Sequence, residues 1–107
     1  MKKLISAFRA LGEETRFKII LMLLEEEMCI CELMEELKLS QSAVSHHVKI
    51  LRQAGLANDR RDGKWTFFSI NKKGFSLLEN GFDELLLKPV NKYQYKEKAE
   101  PSIACPK

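Results

Sequence analysis

Two strand-like runs, residues 56–61 and 64–70, meet at Asp62-Gly63 in a chain whose remaining periodicity is helical. That dipeptide predicts a two-residue hairpin, because a type I′ turn needs positive φ at both central positions. Trp65, Thr66, Phe67 and Phe68 carry the aromatic and β-branched bias of a strand. At 107 residues the chain has room for one domain.

The helices are read from spacing. Leu4, Ile5, Phe8 and Leu11 predict a short first helix. Phe17, Ile20, Leu21 and Leu24 follow i, i+3, i+4, i+7 and predict an amphipathic helix over about 15–26. Thr15 is a candidate N-cap, although 12–14 offer alternative starts. Leu33, Met34 and Leu37, with Glu32, Glu35 and Glu36 outward, predict a third helix ending near Lys38. Ser40 is placed to cap a fourth by accepting a first-turn amide, and Gly55 to end it. Its apolar stripe is Val44, Val48 and Leu51; at 100° per residue the opposite face presents Ser42, Ser45, His46, Lys49 and Gln53. A last helix over about 73–87 carries Phe75, Leu78, Phe82 and Leu85 on one side, widened by Leu77 and Leu86, and Pro89 is expected to stop it.

Charge is segregated along the chain. Residues 13–36 hold eight Glu against Arg16 and Lys18, a net of −6, whereas 38–73 hold eight Lys/Arg against Asp59 and Asp62, a net of +6. A basic middle third suggests a surface built to meet a polyanion. Two short helices followed by a hairpin form the skeleton of a winged helix-turn-helix, an α+β, mostly helical fold with about five helices and one two-stranded β-hairpin wing. A second helix bearing small polar side chains can lie close in the major groove, while Arg60, Arg61 and Lys64 beside the turn meet phosphates. His46 and His47 diverge by 100° on one helix and are poorly placed to share an ion, so His46 is assigned to DNA and His47 to the helix flank.

Cys29-Ile30-Cys31-Glu32-Leu33, Leu39-Ser40-Gln41-Ser42-Ala43-Val44-Ser45-His46-His47-Val48 and Leu51-Arg52-Gln53-Ala54-Gly55-Leu56 resemble the ArsR/SmtB family of metalloregulatory repressors, arsenic-responsive type. Arg60-Arg61-Asp62-Gly63-Lys64-Trp65 resembles that family's wing. The resemblance spans about residues 5–87. It implies a cytoplasmic homodimeric repressor, paired through its first and last helices, that leaves its operator when a metal or metalloid binds. Its groove-facing residues match Gln41, Ser42, Ser45 and His46. On this reading 1–87 form the DNA-binding and dimerisation domain and 88–107 a flexible Lys-rich tail.

The resemblance also makes Cys29-x-Cys31 the inducer box, and soft thiolates select thiophilic ions. Residues two apart on a regular helix point about 200° from each other, so both sulfurs converge only where the backbone is frayed, extended or forced open. Some arsenic-responsive members carry a third cysteine where Met34 stands here. The remaining thiol, Cys105, lies 18 residues beyond Leu87. A flexible tail of that length has an r.m.s. reach of roughly 20–25 Å, sufficient to complete a site in its own or the partner subunit. Zinc- and cobalt-sensing relatives place histidines on the last helix, and 73–87 contain none; cadmium- and lead-sensing relatives add cysteines before the pair, and none precedes Cys29. Arsenite or antimonite is the expected inducer, with cadmium or lead, or oxidation of the thiols, as alternatives. Enzymatic readings find no support: the sequence has no Cys-x-x-Cys beside a βαβ unit and no Gly-rich phosphate loop. No apolar run approaches the roughly 18 residues of a membrane span.

Overall fold

The computed structural model describes residues 1–104 and 106. Helix α1 (Lys2–Leu11) turns at Gly12 into α2 (Glu14–Glu25). The cap of α2 is Glu13 and not Thr15: the Glu13 carboxylate accepts the Arg16 N–H at 2.9 Å. This also places a negative charge at the positive end of the helix.

The buried side of α2 also differs from the spacing-based expectation. Ile19, Ile20 and Leu23 face the core, while Phe17, Leu21 and Leu24 are 50%, 50% and 64% exposed. Residues 19–24 are six consecutive apolar side chains, which wrap the whole circumference of a helix at 100° per residue. The run alone therefore does not choose the inner face, and packing against α4 and the sheet selects the one about a quarter-turn away from that of Phe17.

A two-residue strand, β1 (Met28–Cys29), leads directly into α3 (Ile30–Leu37). Lys38 ends α3 in the left-handed conformation, φ 56°, and donates its N–H to the Met34 carbonyl. Ser40 then caps α4 (Gln41–Gln53), its Oγ accepting the Ala43 N–H at 3.2 Å. Gly55, φ 79°, supplies the left-handed turn after α4.

Strands β2 (Ala57–Asp62) and β3 (Trp65–Ile70) form the hairpin, and β1 adds to the far edge of β3, so the sheet is three-stranded and antiparallel in the order β1-β3-β2. This corrects the two-stranded expectation. The turn also shifts by one residue. Asp62 pairs with Trp65, the loop is Gly63-Lys64, and only Gly63 has positive φ, 61°. That is the φ pattern of a type II′ turn, with Gly at the first central position, and not of a type I′ turn.

Val44, Val48 and Leu51 seat the back of α4 on a core shared with Ile19, Leu23, Leu33, Leu56 and Phe68. Burial of each large aliphatic side chain contributes about 1.5–3 kcal/mol. The last helix, α5 (Lys72–Phe82), is capped by Asn71, whose Oδ1 accepts the Gly74 N–H at 3.1 Å. It continues through a π-helical turn (Asp83–Leu87) into α6 (Lys88–Asn91). Pro89 does not stop the helix, because it lies in the first turn of α6, where a missing N–H is tolerated. No helix is long and apolar enough to cross a membrane among the described residues.

Candidate nucleic-acid interface and thiol pair

Helix α4 is anchored from behind and polar in front. Gln41, Ser42, His46 and Lys49 are exposed and Ser45 is half-buried on the same side. The Ser42 hydroxyl lies 3.2 Å from that of Ser40, which fixes the small polar start of the helix. No carboxylate stands on α4, so nothing on it repels a phosphate backbone. Compact side chains of this kind let a helix approach base edges closely.

His47 points away from this face. Arg16 Nη1 lies 3.3 Å from its Nδ1 and Glu13 Oε2 3.8 Å from the same atom, while Arg16 Nε donates to the Ala10 carbonyl at 2.8 Å. This cluster ties α4 to the junction of α1 and α2. Burial lowers the His47 pKa below 6.5, with the Glu13 carboxylate opposing that shift. The spacing of the residues did not reveal the cluster, since its members are 31 positions apart.

The three wing cations are placed differently. Arg61 and Lys64 are exposed and form no salt bridge among the described residues, and Lys64 Nζ lies 5.1 Å over the Trp65 ring. Arg60 is engaged within the molecule: its guanidinium stacks 4.8 Å over Phe67, meets Glu27 Oε1 at 2.5 Å and lies 3.6 Å from Asp62. The Glu27 carboxylate raises the Arg60 pKa. Arg52 reaches Asp59 at 3.7 Å and links the end of α4 to β2.

The two thiols have unequal settings. Cys29 is buried in extended backbone, φ −90° and ψ 170°, and is the N-cap residue of α3. Glu32 completes a capping box, its carboxylate accepting the Cys29 N–H at 3.0 Å. That bond, followed by the one to the Cys29 side chain, holds the Glu32 pKa below 4.5. In the sequence Glu32 is placed only on the outward face of this helix, and the box is missed; the signal that could have found it is a glutamate three residues after Cys29, with cysteine in the usual Ser/Thr position. Cys31 is exposed in the first turn of α3. Cys29 thus lies in extended backbone and Cys31, two residues on, in the first helical turn, one thiol buried and the other exposed. The donor chemistry fits a soft, thiophilic group. No cluster of three or more His, Cys, Asp or Glu side chains suited to a metal occurs among the described residues, and Cys105 lies outside them.

Helices α3 and α4, joined by a tight turn and followed by a β-hairpin, define a winged helix-turn-helix protein. Residues 13–59 match the family described as bacterial regulatory protein, arsR family. The chain is 40% identical over 70 residues to an HTH-type transcriptional regulator of Methanocaldococcus jannaschii, covering 64% of this chain and 79% of that one. It is 41% identical over 68 residues to the arsenical resistance operon repressor of Escherichia coli, covering 63% of this chain and 58% of that protein. It thus spans less than two thirds of the latter's length. Among solved structures it resembles HlyU from Vibrio cholerae, with a TM-score of 0.64 and 32% identity over 78% of this chain and 92% of that one. The chain belongs to the ArsR family of transcriptional regulators, a class of repressors and related DNA-binding proteins and not of enzymes.

Proposed function

We propose that this protein is a cytoplasmic homodimeric repressor that holds operator DNA through α4 and the wing, and lets go when Cys29 and Cys31 engage arsenite or antimonite. The observation that carries this reading is the junction at Cys29. One residue is at once a strand partner of Phe67, the cap of α3 and half of a thiol pair, immediately ahead of the helix-turn-helix. Outward rotation of Cys29 toward Cys31 costs α3 its cap and β1 its pairing, and α4 is joined to α3 by a single short turn. A differential preference of a few kcal/mol between the two arrangements suffices to empty the operator, and thiolate ligation is strong enough to supply it.

On DNA, Gln41, Ser42, Ser45 and His46 face the bases, and Lys49, Arg61 and Lys64 the phosphates. Residues 1–87 carry binding and dimerisation, and 88–107 form a Lys-rich tail whose first turn is helical. Exposed apolar side chains on α1 (Ile5 43%, Phe8 36%) and along α5 and its extension (Leu77 60%, Leu85 48%, Leu86 46%) support pairing of two copies through these helices. A dimer of this kind covers half-sites about one helical turn, or a small multiple, apart.

The test uses a duplex selected by the protein from a random-sequence pool. Wild type and the Cys29→Ser/Cys31→Ser double variant are titrated with it in the presence of arsenite, antimonite, cadmium, lead or zinc, and after oxidation. Release of wild type by arsenite or antimonite, with the double variant retained on the duplex, supports the reading. Equal release of both proteins refutes the thiol assignment, and release by cadmium, lead or oxidant alone reassigns the inducer.

A further inference from the structure

Cys29, Phe67, Arg60 and Asp62 share one face of the sheet, and the Glu27 carboxylate meets it. The register makes Cys29, Phe67 and Arg60 one cross-strand row, Asp62 lies two residues along β2 from Arg60 and points the same way, and Glu27, just ahead of β1, joins them through its ion pair with Arg60. Arg60 reaches from β2 across the Phe67 ring to the Glu27 carboxylate on the far side of β3. With a ring beneath it and carboxylates at two edges, this guanidinium is poorly available to a phosphate.

Glu27 is two residues from Cys29 in the chain. β1 is held to β3 by only two residue pairs, Met28 with Phe68 and Cys29 with Phe67. Cys29 is buried and Cys31 exposed, so bringing both sulfurs to one acceptor requires Cys29 to turn outward, which carries β1 and Glu27 with it. We infer that Arg60 is a positioning residue: the Glu27–Arg60 pair, laid over Phe67, couples the seat of Cys29 to the wing, so that rearrangement at the thiol pair reorients β2 and β3 as well as α4. This rests on the inducer reading above and adds the wing to what that site moves.

Trp65, the one tryptophan of the chain, stands exposed at the wing tip and reports wing motion without DNA. Wild type, Glu27→Gln, Arg60→Met and the double variant are titrated with arsenite while thiol protection and Trp65 emission are followed, and then with the selected duplex across a salt series. Both residues are exposed, so neither substitution opens the core, and methionine retains an unbranched stem over Phe67. All four proteins are expected to protect the same number of thiols. The equilibrium between wing positions, read from the Trp65 response, should shift about 1.4- to fivefold in each single variant, the range an exposed ion pair supplies, and no further in the double variant.

A Trp65 response in the variants equal to that of wild type overturns the inference, as does a wild type whose thiols are protected without any Trp65 response. A salt slope lowered by about one in Arg60→Met but not in Glu27→Gln makes Arg60 an ordinary phosphate contact and also overturns it. A wild type that protects no thiols refutes the inducer reading itself, and this inference falls with it.

Discussion

Gly74 is the position where a single methyl group does most damage. A Cβ built there lies 1.7 Å from the Gly55 carbonyl oxygen and 2.8 Å from its carbon, both backbone atoms at the end of α4. Ordinary contact begins near 3.4 Å, so the start of α5 must retreat by about 1.7 Å. That movement stretches two bonds out of range: Asn71 Oδ1 with the Gly74 N–H at 3.1 Å, and the Asn71 N–H with the Leu56 carbonyl at 3.0 Å. Two hydrogen bonds at about 1 kcal/mol each, with overpacking of about 1–3 kcal/mol, outweigh the roughly 0.5–1 kcal/mol that alanine gains over glycine in a helix. Gly74→Ala is therefore expected to lose about 2–4.5 kcal/mol, a fall in Tm of roughly 10–20 °C for a chain of this size. Thermal melts at one fixed protein concentration measure this, since any self-association would make Tm depend on concentration.

Gly81→Ala is the control. The three atoms nearest its Cβ all belong to the flexible Leu4 side chain, Cδ1 at 3.2 Å, Cδ2 at 3.5 Å and Cγ at 3.7 Å. It should remain within about 1 kcal/mol of wild type. Gly74→Ala melting at or above the wild-type temperature would refute the close approach of α4 and α5 on which the estimate rests.

The recognition face predicts a division of labour: Ser45→Ala and His46→Ala should narrow the affinity gap between selected and random duplexes, whereas Arg61→Ala should weaken both alike and lower the salt slope by about one. Equal losses for all three on random DNA would contradict that division. His47 predicts a pH effect. Its folded pKa lies below 6.5, so the unfolded chain takes up the proton first, and stability should fall as pH drops through 6.5 and on toward the folded value. Urea midpoints between about pH 8 and about pH 5.5 should be flatter for His47→Gln than for wild type, and parallel curves would exclude His47 as the source.

Helix α4 was legible because it carries one apolar stripe on an otherwise polar sequence, bracketed by Ser40 and Gly55, so local chemistry and packing agree. α2 was less legible for the opposite reason: an unbroken apolar run leaves the choice of inner face to its neighbours. β1 has no propensity signal, since two residues become a strand only when the edge of β3 is there to receive them. The glutamate-rich segment reads in sequence as a solvated face, and nothing in it marks Glu27 as the partner of an arginine 33 positions later. Arg60 and Arg61 look alike in the sequence. The pleat turns them to opposite faces, and only Arg60 finds a ring and a carboxylate.

Cysteine at position 29 has a consequence for how such a regulator changes over generations. Serine is among the best helix caps and nearly matches cysteine in size, so exchanging the sulfur for an oxygen makes the start of α3 sounder. Under the proposed inducer reading, a chain altered in this way would stay folded, keep its hold on DNA and no longer hear its signal. The easiest lesion at this junction would then leave a deaf repressor, permanently closed, in place of a broken one.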